Sequence, residues 1–99
     1  MTIEQLHFEY KAEREVYKKG HVGIVASGDL EIMVEPSPNK GAQIYIRTHT
    51  DGFEVIWRAI LDRFMESYPI AAIIRINDCG ATPGVVNLRL AQATEVMEL

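Results

Sequence analysis

Val22-Gly23-Ile24-Val25-Ala26-Ser27-Gly28-Asp29-Leu30-Glu31-Ile32-Met33-Val34 is the stretch on which the fold turns. Val22, Ile24 and Ala26 alternate with other residues, and so do Leu30, Ile32 and Val34. A period of two places every second side chain on one face of a strand. Ser27-Gly28-Asp29 separates the two runs. Glycine accepts positive φ and aspartate tolerates it, so Gly-Asp between alternating runs predicts a hairpin over about residues 21–36.

On the amino-terminal side, Leu6, Phe8 and Tyr10 alternate with His7 and Glu9, which predicts a strand with one buried face. The charged segment Lys11 to Gly20 then reads as a solvated connection. On the other side, Pro36-Ser37-Pro38-Asn39-Lys40-Gly41 is a loop, because proline lacks the N–H that a ladder needs. Ile44, Ile46 and Thr48 alternate with Gln43, Tyr45 and Arg47 to give another strand. Asp51 and Glu54 have the spacing of a capping box. Behind them Phe53, Ile56, Trp57, Ile60, Leu61 and Phe64 recur at three and four, one apolar face of a helix over about 52–67 that Pro69 ends. Ala71 to Ile76 is a short apolar run, read as a central strand. Val86, Leu88 and Leu90 fit a strand, whereas Val86, Leu90, Ala93 and Met97 fit a helix. Thr82 as N-cap and Pro83 at the first helical position favour a helix over about 83–97.

The order β-β-β-β-α-β-α predicts an α+β fold: one small domain over 1–99, mainly antiparallel, with a central hairpin and two covering helices. At 99 residues the chain has room for one modest core. It is 47% hydrophobic and 24% charged, the composition of a globular domain rather than a disordered one. Its formal net charge of -4 disfavours a nucleic-acid surface. The one cysteine, Cys79, excludes an intramolecular disulfide and a thiolate metal cluster. His7, His21 and His49 lack metal-ligand spacing, so no metal is expected. The longest purely apolar stretch, Ile70 to Ile74, is too short to cross a bilayer. Met1 to Tyr10 lacks a signal-peptide run, so a cytoplasmic chain without a membrane partner is expected.

Two segments could carry chemistry. Ser27 lies beside a glycine turn where a modifying enzyme or a phosphate can approach its hydroxyl, with Asp29 and Glu31 as an acidic border. Ser-Gly-Asp is equally ordinary hairpin chemistry that needs no function. Asn77-Asp78-Cys79-Gly80-Ala81-Thr82-Pro83-Gly84 is a strand-to-helix junction whose N–H groups could bind phosphate or simply form a capped Asx-type turn. A serine hydrolase would need a histidine against Ser27, and Val25-Ala26-Ser27-Gly28-Asp29 is not the G-x-S-x-G elbow. Cys79 reads as a small buried hydrophobe rather than a reactive thiol.

Taken together, Gly23 to Glu31 and Asp78-Cys79-Gly80-Ala81-Thr82-Pro83-Gly84-Val85 with Arg89 resemble the acyl carrier (delta) subunits of bacterial malonate decarboxylases. The resemblance covers about residues 20–98. The citrate lyase acyl carrier chain shares the Ser-Gly-Asp hairpin and is the alternative. A small non-covalent binding or regulatory module is the alternative from another class. The resemblance implies a non-catalytic carrier. Its Ser27 would bear 2'-(5''-phosphoribosyl)-3'-dephospho-CoA through a phosphodiester, with Gly28 and Asp29 flanking the attachment. The arm would carry acetyl and malonyl thioesters. The implied partners are an acetyl/malonate transferase subunit, decarboxylase subunits, a malonyl transferase and the holo-carrier synthase that attaches the arm.

Overall fold

The computed structural model describes residues 3–12, 14–15, 23–37 and 41–96. The elements are β1 (Glu4–Tyr10), β2 (Arg14–Glu15), β3 (Gly23–Ala26), β4 (Leu30–Pro36), β5 (Ala42–Thr48), α1 (Glu54–Ser67), β6 (Ile70–Asp78) and α2 (Pro83–Val96). The sheet runs β1-β5-β6-β4-β3, with β2 pairing the start of β6. The expected α+β fold and its two helices are present.

β1–β5, β3–β4 and β4–β6 pair antiparallel, while β5–β6 and β2–β6 pair parallel. The parallel β5–β6 pair follows from its connection. Parallel neighbours need a long crossover, and α1 supplies one. β6 is central, between β5 and β4, as its apolar run implied.

Register builds the core in rows. Phe8, Ile44, Ile74 and Val34 stand side by side across four strands. Leu6, Ile46, Ile76, Ile32 and Val25 form the next row, and Thr48, Asp78 and Leu30 the last. Ile44, Ile46, Ile74, Ile76 and Ile32 are at most 2% exposed, so this face is fully covered. The cover is α1, through Trp57, Ile60, Leu61, Phe64 and Met65, and α2, through Val86, Leu90 and Ala93. The other face is open. There His7 stacks on Tyr45 with ring centroids 4.6 Å apart, and Arg75 pairs with Glu35.

Several local expectations need correction. Ile24 is 53% exposed and Val25 turns inward, so the Ile24–Ala26 alternation marks the outer face of β3. Register decides this, because Val25 stands opposite buried Ile32. The segment Lys11 to Gly20 is not simply solvated: Ala12 is buried and Arg14–Glu15 pair with Ile70–Ala71. Residues 13 and 16–20 lie outside those described, as do Val22 and Met97. Asp51 and Glu54 make no capping box. Phe53 is the N-cap, without a side-chain cap bond, because Gly52 at φ 79° turns the chain one step too late for Asp51. Phe53 and Ile56 belong to the helical stripe yet remain 42% and 40% exposed. The other end of α1 closes as expected before Pro69, with Tyr68 N–H donating to the Phe64 carbonyl.

β1 is tied to α1 by the Tyr10 hydroxyl, which donates to Asp62 Oδ1 at 2.7 Å. Burial, and then the Asp62 carboxylate, hold this phenol above the usual tyrosine range. A raised folded-state pKa contributes stability that is complete below the ordinary value of about 10 and is lost as pH climbs past it. Tyr10→Phe should lower stability at pH 7 by about 0.5–1 kcal/mol in urea titrations. It should also flatten the fall in stability above about pH 10 relative to the parent chain.

Candidate functional site

The two segments singled out in the sequence meet at one end of the sheet. Leu30, the first residue of β4, stands opposite Asp78, the last of β6. The Cys79 N–H then donates to the Asp29 carbonyl at 2.8 Å. The hairpin tip and the strand-to-helix junction are therefore bonded neighbours, a proximity that only the strand order creates.

The tip is a two-residue turn. Ser27 N–H donates to the Leu30 carbonyl at 2.7 Å, and Leu30 N–H returns to the Ser27 carbonyl at 3.4 Å. The expected hairpin is present, but Gly28 does not adopt positive φ. Its lack of a side chain matters differently, since beyond its two chain neighbours nothing lies within 4 Å of where its Cβ would stand. The approach over the turn is open. Half-buried Ser27 directs its hydroxyl to Asp29 Oδ1 at 2.7 Å, with the Leu30 carbonyl at 3.3 Å as a second acceptor. A hydroxyl has one proton, so the shorter carboxylate contact sets its orientation.

The junction is held by Asp78, which is 4% exposed. Its Oδ1 accepts from Gly80 N–H at 3.1 Å and Ala81 N–H at 2.8 Å, an Asx-type turn. Its Oδ2 accepts from Thr48 Oγ1 at 2.8 Å, joining the ends of β5 and β6. Gly80 takes φ 103°, the position where this turn does need glycine. Thr82 caps α2, its Oγ1 accepting from Val85 N–H at 3.3 Å. Of the two readings of this segment the capped turn is present, and the Gly80 and Ala81 N–H groups are already engaged. Cys79 is exposed, contrary to the buried reading. Strand register turns its side chain outward after Asp78 turns in. Arg89 lies half-buried on α2 and donates to Gln92 Oε1 at 2.6 Å.

Beside the junction an open cleft of about 220 Å³ separates the first turns of α1 and α2. Phe53, Ile56, Trp57, Ile60, Pro83 and Val86 form its apolar wall, and Thr48, Thr50 and Asp78 supply its polar lining. The apolar helix face expected over 52–67 thus both enters the core and lines this cleft. The signal for the cleft was Phe53 and Ile56 running one turn ahead of the buried stripe. Among the described residues no group of three or more His, Cys, Asp or Glu could hold a metal. No helix among them is long and apolar enough to cross a membrane.

The geometry separates two glycines and grades one carboxylate. Gly28→Ala should leave thermal stability within about 0.5 kcal/mol of the parent, since its φ and surroundings accept a Cβ. Gly80→Ala should cost about 1 kcal/mol or more, because alanine resists that φ. Asp78→Ala should lose about 1–3 kcal/mol through its stranded donors, and Asp78→Asn less, because the amide keeps an oxygen for the turn. Urea unfolding of the four variants gives the ranking.

The family described as malonate decarboxylase delta subunit (MdcD) matches residues 17–97. A malonate decarboxylase acyl carrier protein of Xanthomonas euvesicatoria pv. vesicatoria is 45% identical over 101 residues, covering 97% of this chain and 96% of the relative. One from Azotobacter vinelandii is 43% identical over 94 residues, covering 94% and 95%. A chain in the crystal structure of a Pseudomonas malonate decarboxylase hetero-tetramer in complex with malonate superposes with a TM-score of 0.84 at 36% identity, over 95% of this chain and 98% of the other. The hairpin that two kinds of carrier share is thus resolved in favour of one, and the chain belongs to the acyl carrier family of malonate decarboxylase.

Proposed function

We propose that Ser27 is the attachment point of a 2'-(5''-phosphoribosyl)-3'-dephospho-CoA arm. On this reading the chain is a non-catalytic carrier, moving acetyl and malonyl groups between partner subunits in the cytoplasm. The observation that carries it is the Ser27 hydroxyl at an open hairpin tip, hydrogen-bonded to Asp29 at 2.7 Å. The residues fit such a group in two respects. A Cβ at Gly28 would meet nothing within 4 Å beyond its chain neighbours, so the turn beside the Ser27 hydroxyl is uncrowded. The Asp29 carboxylate orients the hydroxyl and could accept its proton as Oγ attacks the phosphorus of an activated phosphoanhydride precursor of the arm, forming the O–P bond as the precursor's P–O anhydride bond breaks and its polyphosphate leaves.

The rest of the site acts as a mount. The Cys79–Asp29 bond holds the tip to the end of the central strand, so Ser27 is presented from a rigid base. A rigid mount with a long arm keeps the cargo at high effective concentration for two active sites in turn. When bound, the arm supplies a thioester, which stabilises the carbanion left by decarboxylation better than a free carboxylate does. The side chains that act on the cargo then belong to the partners: an acetyl/malonate transferase subunit and decarboxylase subunits. A malonyl transferase and the holo-carrier synthase complete the set. The assembled, malonate-bound state of the Pseudomonas neighbour is consistent with this division.

Co-expression with the attachment enzymes followed by intact-mass measurement tests the assignment. The parent chain should gain the mass of the arm, and Ser27→Ala should not, while keeping a parent-like circular dichroism spectrum. Asp29→Asn should slow loading several-fold without unfolding the chain. A Ser27→Ala chain that still gains the mass would overturn the proposal. A parent chain that never gains it would favour a non-covalent binding module.

A further inference from the structure

Phe53, Val55 and Ile56 are exposed by 42%, 80% and 40% on the first turn of α1. Apolar surface left open in a concave place marks a binding site more often than an isolated exposed residue does. Two of these side chains, Phe53 and Ile56, line the 220 Å³ cleft that Thr48 and Asp78 also line. The cleft is continuous with the hairpin mount. Asp29 is bonded to Cys79, and the next residues, Gly80 and Ala81, form the cleft rim. Counting Cα steps of about 3.8 Å along that path places the rim within roughly 20 Å of Ser27.

We propose that this cleft receives the acetylated end of the arm and rejects the malonylated end, which shields the thioester of the resting carrier and leaves the malonyl cargo free for transfer. The inference rests on attachment at Ser27. Size selects the part of the arm that enters. Pockets for drug-sized molecules span about 300–1,000 Å³, so this smaller space takes an acyl-cysteamine tip rather than a nucleotide. Chemistry selects the acyl group. The lining is mainly apolar, its one charged group is the Asp78 carboxylate, and among the described lining residues there is no lysine, arginine or histidine. A methyl group is welcome there. A second carboxylate would be desolvated beside Asp78 with no cation to meet it. The occupant is the chain's own arm. A partner helix is the rival, and the experiment separates them.

The test uses the full chain carrying Cys79→Ser, so that the arm bears the sole thiol. Intact mass first establishes the arm and its acyl state. Trp57, the one tryptophan, lies in the cleft wall and reports occupancy through its indole resonance. In ¹H–¹⁵N spectra, acetylated protein should shift the Trp57 indole and the Ile56 and Ala81 amides relative to the unloaded chain. Malonylated protein should leave those signals at their unloaded positions. Hydroxylamine should cleave the acetyl thioester several-fold faster in Ile56→Glu, an exposed position whose change should not unfold the chain. Shifts confined to Ser27–Leu30, equal shifts with both acyl groups, or cleft signals that move only when partner subunits are added would each overturn the inference. Absence of the arm mass would instead overturn the Ser27 assignment, and this inference with it.

Discussion

One buried carboxylate organises the working end of this chain. Asp78 accepts a hydroxyl from Thr48 and two backbone N–H groups from Gly80 and Ala81. Through Thr48 it closes the end of the parallel β5–β6 pair. Through the two N–H groups it turns the chain out of β6 and toward the cap of α2. With that turn fixed, the Cys79 N–H faces the hairpin and bonds the Asp29 carbonyl. A carboxylate removed from water is tolerated only when its lone pairs are met, and here three donors meet them. The position of Ser27, the opening of the cleft and the start of α2 all depend on that one satisfied side chain.

The division of labour in the fold follows from which strands lie where. The covered face is mostly aliphatic and tightly buried, with Thr48 and Asp78 as its polar last row. The hairpin tip and the Asp78 turn gather where β4 begins, β3 ends and β6 ends, all at one end of the sheet. The short hairpin is bonded to a central strand, so its tip is uncrowded while both its legs are paired.

Much of this was legible in the sequence because it is written in local periodicity. The hairpin, β1, β5, the central strand and both helices appear where period-two and period-four patterns placed them. Failures came where local pattern and tertiary register compete. Ile24 and Val25 are both apolar, so alternation alone could not tell which faced inward; pairing of Val25 with Ile32 decided it. Asp51 and Glu54 had capping-box spacing, but Gly52 carried the turn and left Phe53 at the cap. Arg14 and Glu15 are charged, yet a strand can form from backbone bonds regardless. At the site, Ser27 and Asp78 could each be marked as notable residues. Their adjacency depends on β4 lying beside β6, a long-range fact that no spacing encodes. The cleft was hidden for a similar reason, since a helix stripe does not reveal which of its members overhang the sheet.

The central claim is that the hairpin tip, and no other nucleophile of the chain, bears the arm. Peptide mapping by tandem mass spectrometry tests this most directly, on protein co-expressed with the attachment enzymes and digested under conditions that keep phosphodiesters intact. The whole added mass should fall on the peptide spanning the hairpin, with fragment ions bracketing it at Ser27. The same mass on a threonine, on Cys79 or on a serine elsewhere would contradict it.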